Sequence, residues 1–549
     1  MSSSPEAASR PADSYDVVVV GAGLSGLYML HRLVKLGLKA KAFEAGNDVG
    51  GTWFWNRYPG ARCDVESVEY SYSFSDELQQ EWNWSERYAS QPEILRYIHH
   101  VAQRFDLKRL VQFETRVTVA EFDGKTNLWE VRTDKGDVVS TRFCIMATGS
   151  LSTAALPKVP GMDRFKGRSF HTGLWPAEPI DFTGQRVGVV GTGSSGIQLI
   201  PEVAKQARHL TVFQRTANYS MPARNAPMAS EYAIEIKTNY NQLRQKARIS
   251  PSGVAGFRVP EKSVFEVTPK EREKAFEERW QFGGIGFTRV FNDVLMNEKA
   301  NHIAAEFVRG KIRELVPKPA VAELLTPTYL IGTKRLCADA EYFQTYNRDN
   351  VTLVDIRKAP ITEITETGLR TQDSEYELDA IVFATGFDAI TGSLLRIDIR
   401  TKEGVALRDL WAHGPRTYMG LMTAGIPNMF TITGPGSPSV LSNFFTSIEQ
   451  HVDWIADCLA YLQDHSISRM EADPRAQDEW VAHVNEVANR SLFPRGNSWY
   501  VGANIPGKPR SFTIYIGGVG VYRQKCDEVA KAGYRGFMLS GERETERLA

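Results

Sequence analysis

Cysteine is scarce in this chain and never close-paired: Cys63, Cys144, Cys337, Cys458 and Cys526 include no CxxC and no zinc-like spacing. That pattern excludes a dithiol redox centre and points to a reducing compartment; no metal site is expected. Long apolar runs are also lacking, and the opening MSSSPEAASRPADSYD is small and polar, without the apolar core of a secretory signal. A cytoplasmic protein that neither crosses nor enters a membrane is the expectation. Charge of either sign is in no excess, with 65 basic and 65 acidic residues, so no overall field favours nucleic acid. A small neutral ligand suits this balance at least as well, and no obligatory protein partner is evident. What the chain has in quantity is length: 549 residues exceed what one core usually serves, so two or three packed units are expected.

Two of those units are legible. YDVVVV (15–20) is a continuous β-branched run, as a strand buried on both faces should be, and it enters GAGLSG. A helical pattern, LYMLHRLVKLG, follows, and LKAKAFEA supplies a second strand ending in Glu44. Gly21, Gly23 and Gly26 thus form GxGxxG between strand and helix, the context in which backbone amides and a helix N-terminus cradle a pyrophosphate. Glu44, 23 positions after Gly21, stands where a carboxylate accepts ribose hydroxyls. A second such unit opens at RVGVVGTGSSG, with Gly191, Thr192, Gly193, Ser194, Ser195 and Gly196, and its second strand ends in Gln214, Arg215 and Thr216. With arginine in the place of the acid, a 2′-phosphate is favoured over a free hydroxyl, and hence NADPH over NADH.

Other segments set the boundaries. FCIMATGS and AIVFATGFDA each run an apolar strand into Ala-Thr-Gly, small residues suited to a crossover beside a cofactor, near 150 and 385. Between about 220 and 333 the sequence turns charged and helical in pattern, which reads as an inserted helical unit with solvated faces. A long amphipathic helix is expected around SIEQHVDWIADCLAYLQ. The expected fold is α/β, with two Rossmann-like dinucleotide-binding domains and a helical insertion. Residues 1–14 would be a disordered tail, 15–150 and 386–549 the FAD-binding domain, 151–219 and 334–385 the NADP-binding domain, and 220–333 the insertion.

Between the two fingerprints lies FKGRSFHTGLWP, in which Phe165, Gly167, His171, Trp175 and Pro176 match FxGxxxHxxxWP. GGTWFWNRYPGARCD matches GxWxxxxYPGxxxD through Gly51, Trp53, Tyr58, Pro59, Gly60 and Asp64. From the residues alone, the first motif is a hinge whose large planar groups His171 and Trp175 could pack between two cofactors, or else a space-filling linker. Asp64 is either a turn cap or a site carboxylate. Together these motifs resemble the fingerprints of the flavin-dependent Baeyer-Villiger monooxygenases, and YPGARCDVESVEYSYSF and NSWYVGANIPGK resemble the phenylacetone and steroid monooxygenase branch, which handles aryl, cyclic and bulky ketones.

The resemblance covers the chain from about residue 15 to beyond Trp499. It implies tightly held FAD, contacted by the first fingerprint, Glu44, Gly51, Thr52, Trp53, Asp64 and Tyr70. It also implies NADPH, held by the second fingerprint, Arg215, Thr216, Lys334 and Arg335. The implied activity is NADPH- and O2-dependent conversion of ketones to esters or lactones through a C4a-peroxyflavin. Arg335 would stabilise the anionic peroxide, a task for a cation that cannot deprotonate, and Asp64 would orient Arg335. Val440, Leu441, Phe444 and Trp499 would line the substrate side. The alternative is a flavin-containing N- or S-oxygenating monooxygenase, which shares both nucleotide sites; the Trp-Pro ending and the Asp64–Arg335 set weigh against it. A disulfide reductase lacks its CxxC here, and a non-catalytic NADP sensor would need only one fingerprint.

Overall fold

The computed structural model describes residues 14–256 and 260–541. The expected N-terminal tail lies outside them except for Ser14, which corrects its boundary: Ser14 begins the strand Ser14–Val20 and pairs with Ser140, because the neighbouring strand is long enough to hold it. Val17, Val18 and Val19 are fully buried, each worth about 1.5–3 kcal/mol of hydrophobic stabilisation. On one side Ser14–Val20 pairs in parallel with Ala40–Phe43, which in turn pairs with Val111–Gln112; on the other it pairs with Val138–Met146. The far edge of Val138–Met146 is shared. Antiparallel Leu128–Thr133 takes its beginning and parallel Met429–Thr431 takes its end, so a strand from late in the chain completes the first nucleotide sheet. The connecting helix Leu24–Lys35 stops because Gly37 adopts φ +69°, where Leu38 N–H can turn back to Leu33 O.

The second sheet is wholly parallel, in the order Val351–Asp355, His209–Gln214, Arg186–Val190, Ala380–Phe383, Arg168–His171. The chain leaves the first unit after Val138–Met146 and returns to it after Ala380–Phe383, at the two Ala-Thr-Gly segments. These crossovers run antiparallel and are bonded to one another: Ala155 N–H donates to Gly386 O at 2.9 Å, Asp388 N–H to Thr153 O at 2.8 Å and Ile390 N–H to Ser150 O at 2.7 Å.

The insertion is helical, as its charge pattern predicts, with helices Ser230–Ile249, Pro269–Phe282, Glu298–Leu315 and Pro319–Leu325. It has its own core around Phe276, Trp280, Phe287 and Val308. The sequence TPKE starts Pro269–Phe282 as a capping box in which Thr268 and Glu271 each satisfy the other's backbone N–H. The long C-terminal helix Phe444–Asp464 forms where expected but is not amphipathic in effect. Leu24–Lys35 and Val519–Lys531 both pack against it, and residues as polar as Glu449, Gln450 and His451 are buried. No helix among the described residues is long and apolar enough to cross a membrane.

Candidate active site

The two glycine fingerprints have nearly the same geometry. Gly21 (φ +105°) and Gly191 (φ +110°) sit in the left-handed region, and a Cβ on either would lie 2.6 Å from Ala147 O or 2.5 Å from Ala384 O, the first residue of each Ala-Thr-Gly. A Cβ on Gly26 or Gly196 would strike the carbonyl of Gly21 or Gly191. These glycines are demanded by strand–turn–helix packing. At Gly193 a Cβ would meet nothing within 4 Å, so the backbone there is open to an approaching phosphate, whereas a Cβ on Gly23 would lie 3.2 Å from Gly51 Cα of the GGTWFW loop. The buried Glu44 carboxylate accepts from Ala22 N–H at 2.7 Å and Gly46 N–H at 2.8 Å, which fixes it at the end of its strand with lone pairs to spare for ribose hydroxyls. These residues fit a dinucleotide with a free 2′-hydroxyl.

The second site differs where the sequence differs. Lys334 lies close enough to Arg215 for repulsion to add to burial in lowering its pKa, and its ammonium stands 5.1 Å from the Tyr329 ring centre. No carboxylate pairs with Arg215 or Lys334 among the described residues, and two neighbouring cations without an acid suit a 2′-phosphate. Thr216 contributes its carbonyl, which Thr192 Oγ1 binds at 2.9 Å.

Asp64 and Arg335, 271 positions apart, meet between these two sites. Arg335 donates from Nη2 to both Asp64 oxygens at 2.8 and 2.7 Å and from Nε at 3.2 Å, and its Nη1 donates to Val440 O at 2.6 Å. Both side chains are mostly buried, at 25% exposed for Arg335 and 19% for Asp64. Burial pushes the guanidinium pKa down, but the Asp64 charge more than compensates, so the net direction is up and the cation is permanent. The loop bearing Asp64 touches both nucleotide units. Gly51 and Thr52, at the start of the short helix Thr52–Trp55, place the loop on Gly23, and Trp53 Nε1 donates to Tyr70 OH at 3.1 Å. Further along, Tyr58 OH donates to Gln198 at 2.8 Å, and Gly60 (φ +83°) passes so near the helix Ser194–Gln206 that a Cβ would lie 2.3 Å from Gln198 O. Arg335 is joined to the same helix through Cys337, whose Sγ lies 3.2 Å from Ser194 Oγ.

The hinge motif divides by role. His171 ends the strand Arg168–His171; its Nδ1 accepts from Gly173 N–H at 3.0 Å, which leaves Nε2 as the donor to Thr385 Oγ1 at 3.2 Å. Thr385 passes the chain of bonds to Ala155 O at 2.7 Å, so His171 is fastened to both crossovers. Burial lowers its pKa to about 4, and the ring is neutral near pH 7. Trp175 takes the space-filling role, the other reading left open by the sequence. Its indole packs on Phe170 and Phe182 in the core of the second unit, where apolar neighbours outcompete an open cleft, and only its backbone N–H reaches the GGTWFW loop, at Trp55 O. Phe165 packs beneath the second sheet, and a Cβ on Gly167 would collide with its ring. Pro176 follows Trp175 at the turn out of the motif.

Val440, Leu441, Phe444 and Trp499 come together in one apolar cluster with Tyr500 and Phe512. The Gly/Pro-rich segment after Trp499 is tied to the crossover: Asn504 Nδ2 donates to Phe387 O at 2.7 Å, and Lys508 Nζ pairs with Asp388. Sequence reasoning missed Tyr500, which faces Arg335 electrostatically, as well as Thr385, Gln198 and the Lys508–Asp388 pair. Thr385 stood within the repeated Ala-Thr-Gly; the others carried no signal, because each acts through a partner more than a hundred positions away.

Comparison with known proteins finds relatives over nearly the whole chain. Residues 14–248 match the family model described as FMO-like, flavin-binding monooxygenase-like. The chain is 43% identical, over 95% of its length and 95% of the other's, to a Baeyer-Villiger monooxygenase of Pseudooceanicola batsensis. It is similar to the solved structure of an oxidized steroid monooxygenase bound to NADP (TM-score 0.92, 53% identity, 96% of this chain and 99% of that one). It is also similar to OTEMO in complex with FAD and NADP (TM-score 0.93, 42% identity, 97% and 100%).

Proposed function

This chain belongs to the Baeyer-Villiger monooxygenases, and from that premise we propose how its residues divide the work of an enzyme that uses FAD, NADPH and O2 to convert ketones to esters or lactones. The observation that carries the reading is the Asp64–Arg335 pair, set between two dinucleotide sites. Bound FAD, reduced by NADPH, supplies the electrons that activate O2. Asp64 grips Nε and Nη2, Val440 O holds one Nη1 hydrogen, and at least one of the five guanidinium N–H groups is left without an acceptor among the described residues. That donor meets the negative charge of the oxygen that attacks the ketone carbonyl. Since the guanidinium is oriented before reaction, little reorganisation is required when the charge develops.

The first fingerprint, Glu44, Gly51, Thr52, Trp53 and Tyr70 hold FAD in this proposal, and the second fingerprint, Arg215, Thr216 and Lys334 hold NADPH. His171 holds the crossovers in register, and Val440, Leu441, Phe444 and Trp499 receive the ketone. The domain boundaries are those read from the sequence, with Ser14 added to the FAD-binding unit. Aryl, cyclic or bulky ketones are the preferred class, supported by the aromatic and aliphatic lining of the cluster around Trp499 and by the likeness to a steroid monooxygenase. A cytoplasmic site of action is our reading of the unpaired, buried cysteines. The test is a panel of linear, aryl, cyclic and steroidal ketones with NADPH, scored by ester or lactone formed. Heteroatom oxidation without any ester would favour the N- or S-oxygenating reading instead.

A further inference from the structure

We propose that Glu69 is a positioning residue that clamps the insertion segment 250–255 against the substrate side of the site and thereby sets the size of ketone admitted, a reading that rests on the ketone-oxygenating function above. Glu69 lies five positions beyond Asp64 and is 5% exposed. Its carboxylate accepts from Ala255 N–H at 2.6 Å, and its backbone carbonyl accepts from Arg244 Nη1 at 3.1 Å and Asn443 Nδ2 at 2.8 Å. One residue therefore joins the Asp64 loop, the insertion helix Ser230–Ile249 and the start of the helix Phe444–Asp464.

Asn443 is the place where this junction meets the substrate side. It sits between Leu441 and Phe444, caps the helix through Phe445 N–H, and donates its own N–H to Ser252 O at 2.8 Å. Thr446 Oγ1 adds a bond to Gly253 O at 2.9 Å, and Gly253 (φ +70°) packs so closely that a Cβ would lie 3.1 Å from that of Thr446. The segment 250–255 belongs to neither helix nor strand, so no regular ladder fixes its position. These few bonds do. Loosening them lets the segment move away from Asn443 and Phe444 and widens the pocket without touching Arg335, Asp64 or either fingerprint.

The test compares Glu69→Ala, Glu69→Gln and Thr446→Val with the unaltered holoenzyme by two readouts: amide hydrogen exchange in 250–255, and the ratio of kcat/KM for a bulky ketone to that for cyclohexanone. Glu69→Ala and Thr446→Val should each speed exchange there and shift the ratio by about three- to tenfold, through KM, as expected for one lost hydrogen bond. Glu69→Gln keeps an acceptor oxygen and should stay near the unaltered enzyme, while flavin reduction by NADPH stays unchanged in all three. Unchanged exchange and ratio in both Glu69→Ala and Thr446→Val would overturn the clamp, as would Glu69→Gln behaving like Glu69→Ala. Should Glu69→Ala fail to fold, Thr446→Val decides alone. If the unaltered enzyme forms no ester from any ketone, the functional reading falls, and the exchange data still decide whether Glu69 clamps the segment.

Discussion

Arg335→Ala should separate flavin reduction from ketone oxygenation. The change removes every Asp64 contact and the donor to Val440 O, and it leaves a mostly buried carboxylate without a counter-ion. Breaking a buried pair by deleting one partner typically costs about 3–5 kcal/mol of stability; partial exposure of both groups places this case near the low end. The catalytic cost is separate. A preorganised donor aimed at developing negative charge contributes about 2.7–4 kcal/mol, so ester formation should fall about 10²- to 10³-fold or more. FAD should stay bound, since the first fingerprint and Glu44 are untouched, and hydride transfer from NADPH should continue, at most slowed. Arg335→Lys keeps the charge but loses the planar fork that spans Asp64, and should restore only part of the activity. Asp64→Ala leaves Arg335 held by Val440 O alone, so its effect and that of Arg335→Ala should be strongly non-additive in the double variant. Anaerobic rapid mixing with NADPH measures flavin reduction, and gas chromatography of products from an aryl ketone measures ester. A normal ester yield from folded Arg335→Ala would refute the assignment, because the negative charge would then be stabilised elsewhere.

Gly21→Val should lose FAD, since its side chain would require a left-handed conformation and collide with Ala147 O; purified, folded variant retaining stoichiometric FAD would contradict this. Arg215→Ala should weaken NADPH binding by about 1.5–3 kcal/mol, roughly ten- to a hundredfold, with NADH little affected, and equal use of both coenzymes by the unaltered enzyme would sink the 2′-phosphate reading. His171→Gln should lower the yield of ester per NADPH consumed by slackening the crossovers. Because burial holds the folded pKa of His171 near 4, below its ordinary 6.5, the unfolded chain binds the extra proton between those values; His171 therefore lowers stability as pH falls from 6.5 to 4, by roughly 3 kcal/mol at most. The melting temperature of His171→Gln should accordingly change less over that range than that of the unaltered protein, and identical slopes would remove His171 as a source of acid sensitivity.

Short-range patterns carried the sequence reading furthest. Each glycine fingerprint is a strand, a turn and a helix within a few dozen residues; the steric demand on its third glycine is local, whereas that on its first comes from a distant crossover carbonyl, Ala147 O or Ala384 O. The carboxylate at Glu44 and the cation at Arg215 mark the ends of equivalent strands, so coenzyme preference could be read from the residue type alone. The YPG segment does reach both nucleotide units, and Val440, Leu441, Phe444 and Trp499 do converge on one cluster.

Long-range closure was left to tertiary structure. Met429–Thr431 joins a sheet begun at Ser14, the two crossovers bond to each other, and Trp175 turns into a core instead of a cofactor cleft. The helix Phe444–Asp464 has polar residues enough for an exposed face, but neighbours from both ends of the chain cover it. Arg335 was named by resemblance to a family; what orients it, an Asp64 carboxylate 271 positions earlier and a carbonyl 105 positions later, appears only when the chain is closed. The sequence by itself determined the two nucleotide units, because each is a strand, a turn and a helix set by contacts along a single βαβ unit, and it set the residue type just beyond each second strand, Glu44 in one and Arg215 in the other. Tertiary structure decided which donors of Arg335 are spent and which is free, and how the inserted helices reach the substrate side, because hydrogen bonds between distant segments depend on three-dimensional approach and leave no periodic trace in the chain.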